Sequence, residues 1–167
     1  MDISRWPPLY QHKIQPNKHL NTATLPTLFI TLIKVQSLVF LPVCYILGHI
    51  SVTSSHGLVT DNVEELPSNR SLLLHILGAA VVDEIFFYSA HRLAHHRALY
   101  QHVHKIHHQW TAPIALASDY CHPLEHLFVN VLPNISYALI FGMDPFSYLM
   151  WWIIVYLGSQ TNHSGYR

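Results

Sequence analysis

The chain has 167 residues, half of them hydrophobic and 11% charged, with a formal net charge of zero and a mean hydropathy of +0.22. That balance suits a bilayer better than an ordinary soluble domain. With no net charge and no Lys/Arg run, it excludes the electrostatic footprint of a nucleic-acid binder.

Residues 1–24 form a polar, proline-bearing segment in which Trp6-Pro7-Pro8 stands where a signal peptide needs a basic stretch followed by an apolar one, so no cleavable signal is expected. Residues 25–71 read as a membrane helix and its connection. Leu25–Ile50 is apolar for about 26 residues, interrupted mainly by Lys34, Gln36 and His49, and roughly 20 suffice to cross a bilayer core. Lys34 leaves a partly interfacial helix open. Ser51–Ser71, rich in Ser, Thr and Asn and punctuated by Pro67, reads as a membrane-surface connection. Leu72–Tyr88 predicts a second spanning helix, whose end brings Asp83 and Glu84 to the membrane surface. Helical character continues to His108 with one break near Tyr100, and Pro113 closes the run because proline disfavours helix at the residue before it. Leu127–Met143 and Phe146–Ser159 flank the turn Gly142-Met143-Asp144-Pro145; each arm is shorter than a comfortable span, which predicts a helical hairpin or a re-entrant pair. No alternating strand pattern is sustained, so the fold class is an all-α integral membrane protein.

The chemistry concentrates between positions 91 and 126, which hold nine histidines. His91 and His95 are one helical turn apart in H-R-L-A-H, and His104, His107 and His108 stand at i, i+3 and i+4 in H-K-I-H-H, so on a helix each group converges on one stripe. Converging imidazoles suit iron, zinc, copper or nickel rather than magnesium or calcium. Five spaced histidines with more nearby exceed the roughly four ligands of one tetrahedral zinc, which favours two metals close together at the membrane surface. His122 and His126, again four apart in H-P-L-E-H, are further candidate ligands, and Glu125 or His126 would either reach metal or orient a ligand. Glu84 shares a stripe with Tyr88, His91 and His95; it either accepts the distal ring N–H of a ligating histidine or merely marks the membrane interface. His12, His19, His49, His56 and His75 read as interfacial or core residues. Cys44 and Cys121 give neither a disulfide framework nor a C-x-x-C site.

The segments H-R-L-A-H, H-K-I-H-H-Q-W-T-A-P, H-P-L-E-H and N-H-S-G-Y resemble the fatty acid hydroxylase and sterol desaturase superfamily, nearest its C-4 methylsterol oxidases and fatty-acid-hydroxylase-domain proteins. The resemblance covers Leu9 to Arg167, with Lys13-Ile14-Gln15-Pro16 a weaker match, and makes residues 72–167 a partial fatty acid hydroxylase domain. It implies a multi-pass protein of the endoplasmic reticulum with a cytosol-facing, non-haem di-iron centre. It further implies a sterol or acyl-chain substrate, and electrons from cytochrome b5 or a reductase. His91 and His95 correspond to the first ligand box, His104, His107 and His108 to the second, and His163 to a later ligand. The family pattern continues into a further H-x-x-H-H box, and members carry more membrane sequence ahead of K-I-Q-P. The expectation is therefore a chain shortened at both ends, either an incomplete oxygenase or an inactive isoform that keeps the scaffold and binds metal weakly or a full-length partner. A single-zinc hydrolase lacks its H-E-x-x-H helix here.

Overall fold

The computed structural model describes residues 11–53, 66–112 and 114–166; Trp6-Pro7-Pro8, His56, Pro113 and Arg167 lie outside them. Asn21 opens the first helical stretch by accepting the Ala23 N–H on its side chain. After a 3-10 turn at Thr22–Thr24, α1 (Leu25–Val35) runs through a π-helical segment, Gln36–Phe40, into α2 (Leu41–Thr53). Pro42 explains the π segment. It has no N–H for the Leu38 carbonyl, and just ahead of it the Leu41 N–H reaches back five residues to Gln36.

Helix α3 (Asn69–Ala94) starts where Ser68 accepts the Ser71 N–H at 3.2 Å. Leu73, Leu77, Val81 and Ile85 recur every fourth residue along it and are each more than half exposed, the stripe expected to face acyl chains. Beyond a short α4 (Arg97–Tyr100) come two 3-10 helices, His104–Gln109 and Ala115–Asp119, and the one-turn α5 (Pro123–Glu125). A second π segment, His126–Val131, leads into α6 (Leu132–Phe141), again just ahead of a proline: Pro133 cannot donate to Val129, and Leu132 N–H bonds Leu127 five residues back. Gly142, at φ +73°, ends α6, and Asp144 accepts the Ser147 N–H at 2.9 Å to start α7 (Pro145–His163). The Trp151 indole N–H donates to the Asn134 carbonyl at 3.1 Å, so α6 and α7 form an antiparallel hairpin.

Ala79 of α3 packs with Ala138, Met143 and Trp151 of the hairpin, while Val39 of the first π segment packs with Val131 and Ile135. One end of the bundle gathers the end of α3, the start of α5 and the end of α7. The opposite end holds the α6–α7 turn, where Asp144 stands 3.9 Å from His75. Ile14 N–H donates to Gly165 at 2.9 Å, which ties the K-I-Q-P segment to N-H-S-G-Y.

Among the described residues the fold is helical with no strand beyond one isolated bridge between Lys13 and Tyr166, and three stretches are long and apolar enough to cross a membrane: Thr22–Leu47, Asn69–Ala94 and Pro123–Phe141. The all-α membrane class holds; four local expectations do not. The third apolar block is not too short, because Pro123 at a helix start and the π segment carry the helix back from Leu127 to span 19 residues. The helix breaks at His95 and His96 rather than first near Tyr100, since His96 turns extended to cap α4. The second histidine group lies on a 3-10 rather than an α-helix. Asp83 and Glu84 stand inside α3, not at its end.

Candidate metal centre and its cleft

His95 closes the last turn of α3 by donating its backbone N–H to His91 at 3.1 Å, which keeps the two imidazoles on one side with Nε2 atoms 3.2 Å apart. A 3-10 helix has three residues per turn, so His104 and His107 eclipse, their rings stacked 5.7 Å apart at 16°, while His108 is displaced around the axis. The ring nitrogens nonetheless divide the other way. His104 Nε2 lies 3.0 Å from His95 Nε2 and 3.0 Å from His108 Nε2, whereas His107 Nε2 meets His163 Nε2 at 3.2 Å. The result is a four-imidazole cluster and an adjoining pair, with His91, His95 and His104 offering nitrogens all within 4.8 Å of one another.

Glu125 sets the tautomer at the centre of the cluster. His104 is fully buried and donates its Nδ1–H to Glu125 Oε1 at 2.6 Å, leaving the Nε2 lone pair facing the other histidines. Burial first, then the neighbouring imidazoles, hold His104 down to about 3 and His107 to about 4, and lower His108 by the same causes. These rings are neutral donors at physiological pH. Tyr100 packs against the rings of His95, His104 and His108 at 5.8 to 6.0 Å, a neighbour hidden from sequence reasoning by the break ahead of α4.

The donor set fits a transition metal. An imidazole–metal distance of about 2.0–2.1 Å puts neighbouring ligating nitrogens about 2.9–3.4 Å apart, and the observed separations are 3.0 to 3.2 Å. Unprotonated lone pairs at that spacing repel unless a cation lies among them.

The other sequence candidates are placed differently. His122 accepts the Leu124 N–H on Nδ1 as the cap of α5. His126 is buried and takes a hydrogen bond from Asn130 at 3.3 Å. Glu125, not Glu84, contacts a cluster histidine; Glu84 instead lines, with Asp83, a cleft of about 340 Å³. Phe40, Ile135 and Trp152 give this cleft apolar walls, and His163 stands at its metal-centre end.

A helical membrane bundle that gathers imidazoles able to hold a metal at one end, beside a largely apolar cleft, defines the class of protein. The family model described as fatty acid hydroxylase matches residues 76–167, more than half of the chain, and the chain belongs to that family. Fatty acid hydroxylase domain-containing protein 2 of Homo sapiens is 40% identical over 103 residues, 62% of this chain and 31% of that protein. Methylsterol monooxygenase 1 of Gallus gallus is 32% identical over 165 residues, 96% of this chain and 53% of its own length. A very-long-chain aldehyde decarbonylase of Oryza sativa subsp. japonica is 35% identical over 102 residues, covering 61% of this chain and 38% of that protein. The chain thus spans from about a third to about half of these curated relatives. The sequence resemblance is borne out for the superfamily and for its methylsterol oxidase and fatty-acid-hydroxylase-domain members. No solved structure matches.

Proposed function

We propose that the chain forms part of a membrane-bound, non-haem di-iron oxygenase that hydroxylates or oxidises a lipid, sterol or acyl chain. The observation that carries this reading is the four-imidazole cluster beside an apolar cleft whose metal-centre end is His163. His91, His95, His104 and His108 would hold one iron; His107 and His163 would contribute to the second, with His122 and His126 outside the set. When bound, the irons supply the dioxygen chemistry that no protein side chain provides. Insertion of one oxygen atom into a C–H bond reduces the other to water and consumes two electrons and two protons, hence the need for a donor such as cytochrome b5 or a reductase. The residues' own share is to hold neutral lone pairs in place, with Glu125 fixing the His104 ring and Tyr100 packing against the outer imidazoles. The apolar walls take the lipid body out of water. The sequence resemblance to the sterol desaturase superfamily supports the endoplasmic reticulum membrane as its place, with the centre facing the cytosol.

A second reading rests on the asymmetry between four imidazoles and two: a scaffold that holds one metal and lacks oxygenase activity, or pairs with an active relative. Microsomes from cells expressing the chain, incubated with heavy-isotope dioxygen and reduced nicotinamide cofactor, separate the two. Heavy oxygen in an extracted lipid, absent with His104→Ala, is the expected result; no excess over empty-vector microsomes would leave the second reading.

A further inference from the structure

The most unusual polar group outside the cluster is His126. It is 4% exposed, and its Nε2 has no hydrogen-bond partner among the described residues. A buried polar atom without a partner is costly, and such atoms persist where something else is meant to meet them. His126 lines the same cleft as His163, Phe40 and Trp152.

The ring's other nitrogen says what kind of group Nε2 offers. Asn130 Nδ2 faces both His126 Nδ1, at 3.3 Å, and Cys121 Sγ, at 3.9 Å, so the amide nitrogen is aimed at two acceptors and donates to Nδ1. With Nδ1 accepting, the ring proton is on Nε2, a hydrogen-bond donor on the wall of an apolar cleft. Backbone geometry sets its place. Glu125, the preceding residue, holds the central metal-site histidine, and adjacent Cα atoms are about 3.8 Å apart. His126 also opens the π segment, whose register departs from the α-helix at this wall.

We propose that His126 is a positioning residue that donates a hydrogen bond from Nε2 to the hydroxyl or keto oxygen of a lipid in this cleft. The site thereby selects an oxygen-bearing lipid over a plain hydrocarbon chain and presents carbons near that oxygen, rather than a distant chain end, to the metal centre. The inference rests on the oxygenase reading for what happens to those carbons, but not for the binding itself.

The test uses the full chain in lipid nanodiscs, loaded with ferrous iron, and a clickable, photoactivatable long-chain alcohol as probe. Labelled residues are mapped by mass spectrometry, with hexadecanol and hexadecane as competitors and iron measured on the same samples. The expected result is labelling at Phe40, Trp152 or Tyr156, displaced by hexadecanol about tenfold more effectively than by hexadecane, as one hydrogen bond to a buried donor provides. His126→Phe, which fills the volume without a donor, abolishes the preference, and His126→Gln, which restores one, recovers it, both with iron content unchanged. An alcohol preference that survives His126→Phe overturns the inference, as does an unlabelled wild-type cleft at full iron content. Loss of iron in His126→Phe would instead make it a metal-site residue and equally overturn it. Cleft labelling without bound iron would sustain the inference and contradict the oxygenase reading.

Discussion

Glu125 and Asp144 show how much a single carboxylate does at each end of this bundle. Glu125 meets His104 at 2.6 Å in the buried centre of the cluster. Replacing it with Gln exchanges the carboxylate that accepts the ring N–H for a weaker amide oxygen, and loss of such a partner typically costs 10–100-fold in metal affinity. Glu125→Gln should therefore release iron to a chelator at roughly a tenth or less of the wild-type chelator concentration while the helical circular dichroism is retained; identical release curves would remove Glu125 from the site. At the other end, burial pushes the Asp144 carboxyl up, but Ser147 and then His75 outweigh it and leave it below its ordinary value. A lowered folded pKa means stability present above the unfolded value and lost as pH falls through the folded one. Asp144→Ala should cost about 1 kcal/mol as a lost helix cap. That difference should shrink below about pH 4, near the unfolded carboxylate range, in thermal unfolding of the detergent-solubilised protein. A difference that grows on acidification would contradict the sign.

At Gly78, α3 passes close against the Tyr137 side chain of α6. A Cβ there would stand 2.5 Å from the Tyr137 ring, whose hydroxyl meets His75 Nδ1 at 3.3 Å. Gly78→Leu should lower the thermal midpoint, with overpacking costing about 1–3 kcal/mol and outweighing a helix-propensity gain of up to about 1 kcal/mol; an unchanged midpoint would show that the helices part freely here. The elements were legible where hydropathy alone decides. Leu25–Ile50 and Leu72–Tyr88 fall within the observed helices, and the Gly142–Pro145 turn signal lies at the hairpin. They were not legible where hydrogen-bond register decides. The π segments depend on what Pro42 and Pro133 cannot donate, and the 3-10 helix at His104–Gln109 reads identically to an α-helix in a spacing of three and four. Those are the segments that aim the site. His104, His107 and His108 read as one group in the sequence, yet His104 and His108 meet His95 and one another while His107 meets His163, a division that local spacing does not give. His122 and His126 share helical spacing with the others, but His122 is taken up as the local cap of α5, and only the cleft position of His126 arises from long-range packing.

Taken together, α3, α5 and α7 converge on one end of the bundle because the hairpin returns the chain across the thickness that α3 crosses. His163 thereby reaches His107 from 56 positions away, at 3.2 Å. That contact is beyond any local pattern; only the family resemblance pointed to it. The whole arrangement stands on the proposition that these imidazoles converge to hold a transition metal. The most direct test is the iron content of detergent-purified protein, loaded with ferrous iron and desalted, measured by plasma mass spectrometry beside His104→Ala and His107→Ala. Wild-type protein should retain at least about one iron per chain, as four converging imidazoles suffice for a site; His104→Ala should lose it, and His107→Ala should spare the iron of the four-imidazole cluster. No retained metal in the wild type, or equal retention in His104→Ala, would contradict a metal centre at this end of the bundle.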